Sequence, residues 1–176
     1  REKCLQAEKE KARKRLQFRK DLIATIGKIY CAIYFLYLDK GTYMEITGKS
    51  AYQNTLGNEG LLNKGNRIVR RFLVAPESQA SMKDFLDPST LSDRLRERDT
   101  LCQSYLTTDG IWHLGRFIVK SRHEDGSAST LLYAIHNIDE VKRTEITYQE
   151  ELKKSAREAQ IANQAKTDFL RRMSND

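Results

Sequence analysis

Three regimes of apolar spacing follow one another along the chain. Up to Gly27 the apolar side chains are sparse and fall near a seven-residue stripe, Leu5, Ala12, Leu16, Ile23 and Ile26. Around them stand Lys, Arg, Glu and Ala, which favour helix, with no Gly or Pro to break it. The spacing predicts a long helix over residues 1–27, and so narrow a seam gains little by burial unless a partner helix covers it. From Ile29 the period changes. Residues 29–38 form a β-branched and aromatic run, Asp39-Lys40-Gly41 is a turn signal, and residues 42–47 return as a second strand. A polar stretch with Gly48, Gly57, Gly60 and Gly65 then holds short helical pieces. Ile68, Val69, Phe72 and Leu73 mark one face of a helix that Pro76 stops. Ser81 is placed to cap a helix carrying Met82, Phe85 and Leu86, and Ser89 another carrying Leu91 and Leu95. Three strands follow, 101–106, 111–121 and 130–138, parted by Thr108-Asp109-Gly110 and Glu124-Asp125-Gly126-Ser127, both strong hairpin signals. Two strands, a helical excursion and three strands joined by tight turns predict an α+β domain, an antiparallel sheet with helices on one face.

From Asp139 the helical period returns. Val141, Tyr148, Ser155, Ala162 and Phe169 lie seven apart, with Leu152, Ala159 and Met173 on the companion row and Glu145 and Lys166 interrupting it. A seam with so many small or polar members makes a weak coiled coil, suited to a helix pair that shifts as well as clamps. The expected organisation is a helix over 1–27, a domain over 28–139 and a second long helix over 140–176.

Length and charge sharpen this picture. The 176 residues have room for one ordinary domain with helical extensions. With 39% hydrophobic and 31% charged residues and no apolar run of about 18, the chain reads as soluble. Cysteines 4, 31 and 102 are odd in number and widely spaced, which argues against a disulfide framework and fits a reducing cytoplasm. Net charge is +7, yet the first twenty residues hold nine Lys or Arg against three Glu, so six of those seven charges sit there. A basic helix at one end suits a solvated coiled-coil face or a segment just inside a membrane. Nucleic acid, which a positive chain would otherwise raise, is not expected from the nearly neutral remainder.

The residues from Lys166 to Asp176 resemble the opening of a sensor histidine kinase dimerisation helix. The pattern is Phe169-Leu170, two variable residues, Met173-Ser174, then the phosphate-accepting His and an acidic residue. Asn175 stands at the acceptor position. An amide nitrogen offers no lone pair to the γ-phosphorus of ATP, as a neutral imidazole does, so no catalytic residue is expected here.

Residues 28–140 resemble the PAS sensory domain, whose five-stranded antiparallel sheet runs in spatial order 2-1-5-4-3. The most specific piece is His136-Asn137-Ile138-Asp139-Glu140-Val141-Lys142, similar to the family's Asp-Ile-Thr-Glu signature between last strand and output helix. Asn137 replaces the first Asp and Asp139 the Thr, and Asp139 is placed to cap the output helix. Asn137, Ile138, Asp139 and Glu140 are thus the expected signal junction. The stretch from Phe85 to Leu91 and Trp112 resemble PAS domains that precede hybrid sensor kinases.

The resemblance also bears on cofactors. A flavin-binding light sensor of this fold needs a Cys in the helical segment after strand two, and haem needs an axial ligand, commonly His, there. Neither residue occurs between Gly48 and Asp99. His113, His123 and His136 show no metal-ligand spacing and read as surface or hydrogen-bonded groups, so no metal or cofactor is expected. The space between sheet and helices could hold a small organic ligand. Its candidate lining is Tyr34, Leu36, Phe72, Phe85, Trp112, Leu114, Arg116 and Tyr133, an aromatic set that equally serves as plain core. Arg116 would bind a carboxylate or pair with Asp99 or Glu97.

No nucleophile and base, phosphate loop or carboxylate pair is evident, and this stretch is expected not to be an enzyme itself. The resemblance implies a sensing and dimerising module of a two-component histidine kinase. It would be a homodimer through its flanking helices, meeting a response regulator or receiver domain by way of the parent kinase. The alternative is a ligand-free relay that transmits motion from an upstream receptor.

Overall fold

The computed structural model describes residues 1–48 and 51–175 and falls into two units, Arg1–Ile138 and Asp139–Asp176. Lys49, Ser50 and Asp176, which belong to the polar stretch and the kinase-like motif above, lie outside the described residues. In the first unit α1 (Glu2–Ile29) runs without a turn into β1 (Tyr30–Tyr37), and Tyr30 at the helix C-cap is already extended. The helix thus passes the expected stop at Gly27. A Cβ there would stand 3.3 Å from the Thr47 hydroxyl, so glycine lets the last turn lie close against the second strand.

β2 (Thr42–Gly48) folds back on β1 across Gly41, whose φ of 65° is the left-handed conformation that glycine adopts without strain. There follow α2 (Ala51–Leu56), β3 (Glu59–Leu61), α3 (Leu62–Phe72), a 3-10 turn (Pro76–Ser78), α4 (Gln79–Phe85) and α5 (Pro88–Arg94). Then come β4 (Thr100–Leu106), β5 (Trp112–Arg122) and β6 (Ala128–Asn137). All pairings are antiparallel, in the order β3-β2-β1-β6-β5-β4. The sheet has six strands where five were expected. The addition, β3, is a three-residue edge on β2 with no alternation to announce it. Without it the order is 2-1-5-4-3 along the chain, as the PAS resemblance implies.

Two caps differ from expectation. α4 begins at Gln79, ahead of Ser81, whose hydroxyl donates back to the Ser78 carbonyl at 3.2 Å. α5 is capped by Asp87, not Ser89: its carboxylate accepts from the Ser89 amide at 3.0 Å and hydroxyl at 2.7 Å, with Pro88 at the first helical position.

The core lies between the sheet and α2–α5. Ala32, Tyr34 and Leu36 of β1, Phe117 of β5, and Leu131, Tyr133 and Ile135 of β6 meet Met82, Phe85, Leu91 and Leu95 from the helices. Arg122 closes the end of the helical excursion. Its guanidinium donates to the carbonyls of Leu95, Arg96, Arg98 and Gly126 and pairs with Asp99 at 3.0 Å.

The second unit is α6 (Asp139–Asn175), a single helix of 37 residues with none buried. Among the described residues no helix is long and apolar enough to cross a membrane.

Candidate ligand cavity and signal junction

Where β1, β5 and β6 face α3, the side chains do not quite fill the core. Tyr34, Leu36, Phe117, Tyr133 and Ile135 on the sheet oppose Leu62, Gly65 and Val69 around a space of about 40 Å³. A water needs roughly 10–15 Å³ measured this way, whereas drug-sized ligands occupy pockets of about 300 Å³ or more. The space therefore suits a very small guest.

Two polar atoms stand out in this setting. Tyr34 is 2% and Tyr133 8% exposed, and among the described residues their hydroxyls are the buried side-chain polar atoms with no hydrogen-bond partner. The Tyr133 hydroxyl lies close to that of Tyr105. Burial pushes both phenols well above their ordinary range, so each keeps its proton and remains a donor. Glycines make room for the aromatic rings. A Cβ on Gly115 would collide with the Tyr133 hydroxyl, and one on Gly65 would stand 2.8 Å from the Tyr43 ring.

Half of the expected lining is found in the core. Tyr34, Leu36 and Tyr133 border the cavity. Phe85 lies one layer away, its ring 4.9 Å from that of Phe117, which stacks on Tyr133 at 4.6 Å. Phe72 is corrected: it is 56% exposed, with the Arg71 guanidinium over its ring. Trp112, Leu114 and Arg116 are corrected together. On β5 the buried set is His113, Gly115 and Phe117, so the three expected residues project from the opposite face of the sheet, with Arg116 exposed. Asp99 pairs with Arg122, six residues further along the same strand. Tyr43, Gly65, Val69 and Phe117 were missed. The period-2 alternation of β5 could have found Phe117, had the set containing a His and a Gly been taken as the inner one.

A buried polar chain also went unread. The Tyr52 hydroxyl bonds to that of Tyr105 and, at 2.8 Å, to His113 Nδ1, while His113 Nε2 lies 3.9 Å from Cys31 Sγ. Burial raises the Cys31 thiol above its ordinary range, with the Asn137 amide at its sulfur acting the other way. The chain of contacts thus runs from α2 to the last residue of β6. His123 pairs with Asp39 at 2.9 Å, and the His136 ring lies 5.7 Å from that of Tyr30. Among the described residues no three His, Cys, Asp or Glu side chains gather around a common point.

At the expected junction, Asn137 ends β6 and the Ile138 amide donates to the Trp112 carbonyl at 2.9 Å. Asp139 and Glu140 form the acidic first turn of α6, where the helix dipole favours them, and Asp139 accepts from Arg143 Nε at 2.7 Å. Asn175 is the last residue of α6 and is exposed.

No family model matches the chain, and no curated protein matches it. Among solved structures it is similar to a sensory box histidine kinase/response regulator from Burkholderia thailandensis, with TM-score 0.47 and 16% identity over 72% of this chain and 90% of that one. It is also similar to the N-terminal domain of a diguanylate cyclase with PAS/PAC sensor from Marinobacter aquaeolei, with TM-score 0.41 and 14% identity over 61% of this chain and 94% of that one. The class rests on the topology itself. An antiparallel sheet in the order 2-1-5-4-3, with the helical excursion between its second and third strands and a minor edge strand added, is the PAS fold.

Proposed function

We propose that this chain is the signal-sensing and dimerisation module of a two-component sensor histidine kinase, relaying a change in the PAS core to α6. The observation that supports it best is the join: one residue, Ile138, separates the end of β6 from the start of α6. A displacement of β6 has no loop in which to dissipate before it reaches the helix. The apolar row Val141, Tyr148, Leu152, Phe169 and Met173 on α6 is exposed, which suits pairing with the same helix of a second copy. Response regulators or receiver domains would be met through the parent kinase. The basic α1 would place the module in the cytoplasm, near a membrane where one precedes it.

Phosphorylation tests the kinase context. A chain carrying Asn175→His and continued through an ATP-binding kinase domain is expected to take label from γ-labelled ATP at residue 175. An unlabelled, folded protein overturns the reading.

A second reading, a relay with no ligand that passes on motion received from upstream, draws support from the small size of the core cavity. A metabolite panel that leaves the melting temperature unchanged at every concentration favours it, since a ligand that binds only the native state raises that temperature.

A further inference from the structure

A bulge in β1 brings a cysteine to a buried histidine. Between Tyr30 and Ala32 the register with β6 slips, and Cys31, which sits at the slip, packs against the core. Its sulfur lies 3.9 Å from His113 Nε2 on β5, across 82 residues of sequence, too far for any spacing rule to connect. His113 is 8% exposed. Its other ring nitrogen, Nδ1, is 2.8 Å from the Tyr52 hydroxyl, which bonds in turn to that of Tyr105. Burial keeps both phenols protonated. With Tyr52 donating to Tyr105, the Tyr52 oxygen accepts from Nδ1–H, and the imidazole lone pair stands on Nε2, toward the sulfur. A metal-binding imidazole is commonly held in this way, its far nitrogen tied to a second group. Cys31 itself is only partly buried, which leaves an approach from solvent.

We infer that the Cys31 thiolate and His113 Nε2 bind one soft monovalent cation, Cu(I), where β1 begins. Bonds of about 2.3 Å to sulfur and about 2.0 Å to nitrogen hold two such donors roughly 3.5 Å apart around a tetrahedral ion and about 4.3 Å apart around a linear one. The observed 3.9 Å is too wide for the first and asks for an open S–metal–N angle. Zn(II) prefers four ligands in a tetrahedron, and among the described residues no third His, Cys, Asp or Glu joins these two. A thiolate with an imidazole and few further ligands suits Cu(I). Binding breaks the S–H bond and forms an S–Cu bond; the proton passes to solvent and no oxidation state changes. The Asn137 amide also approaches the sulfur, so the site touches the strand end that feeds α6. Neither donor lines the core cavity, and the site does not depend on the kinase context.

The test uses the whole chain with Cys4→Ser and Cys102→Ser, which remove the two exposed thiols. Cu(I) is offered under reductant in competition with a coloured Cu(I) chelator, and Zn(II) in a parallel titration. One Cu(I) per chain is expected to leave the chelator. Cys31→Ser is expected to abolish that transfer, and Tyr52→Phe to weaken binding about tenfold, as when the group orienting a ligating imidazole is lost. With Ag(I) as a redox-inert stand-in, the nitrogen NMR signal of His113 Nε2 is expected to split by coupling to the silver nucleus, which a merely structural histidine would not show. If Cys31→Ser fails to fold, that splitting decides alone. A Cu(I) site is ruled out by no transfer from the chelator, by equal binding to a folded Cys31→Ser, by full-strength binding to Tyr52→Phe, by silver coupling at His123 or His136 and not at His113, or by Zn(II) binding as tightly as Cu(I).

Discussion

Tyr34 and Gly115 show how much a single side chain decides in this core. Removing an unpaired buried hydroxyl relieves a penalty without opening space. Tyr34→Phe is therefore expected to raise unfolding stability by about 1 kcal/mol, read as a higher urea midpoint at unchanged slope; a fall would show that the hydroxyl has a partner in solution. Gly115→Ala has the opposite sign. Its methyl group would meet the Tyr133 hydroxyl and stand 3.0 Å from two ring carbons, so a loss of about 1–3 kcal/mol is expected. Adding Tyr133→Phe should recover part of that loss, and a double-mutant cycle measures how much. Strict additivity would mean that the two groups do not touch.

Among the elements, those with a strong local signal were legible. The Asp-Gly turns and β-branched runs located five strands, and the absence of breakers located both long helices. β3 was not legible because three residues with a central glycine carry no period. Its existence depends on β2 offering an edge, and Gly60 sits there because a Cβ would stand 2.7 Å from the Tyr43 hydroxyl. The inward face of β5 was misread for a related reason. Both of its faces are apolar, Trp112, Leu114 and Ile118 on one and Phe117 on the other, so hydrophobicity alone could not choose between them, and the buried His113 misled. The caps of α4 and α5 lie three and two residues ahead of the expected serines, at Ser78 and Asp87, and at α5 Asp87 and Pro88 together make the stronger start. Carboxylates at such turns also set the acid response. Asp39 is held below the ordinary carboxylate range chiefly by its bond from His123, Asp87 by Ser89 and Asp125 by Ser127. A lowered folded-state pKa means stabilisation that is complete above the unfolded value and lost as the pH falls through the folded one. The urea midpoint is therefore expected to hold down to about pH 4 and to drop below it. The drop should be shallower with Asp87→Asn and Asp125→Asn in place, and an unchanged profile would remove these turns from the account.

For the molecule as a whole, the exposed apolar rows on α1 and α6 predict self-association. Leu16 and Ile23 on α1, and Leu152 and Phe169 on α6, are each more than 40% exposed. Sedimentation equilibrium is expected to give a dimer, and Leu152→Glu with Phe169→Glu a monomer whose domain still melts cooperatively. A wild-type monomer at high concentration would remove the helix pairing on which the kinase reading depends.

Tyr30, where the chain enters the sheet, and His136, near where it leaves, are paired partners on adjacent strands. Arrival and departure therefore lie about 5 Å apart, one strand spacing. A domain tethered at two such neighbouring points can be spliced into a continuous polypeptide, doubled or excised without prising its flanks asunder, which makes it portable between otherwise unrelated proteins.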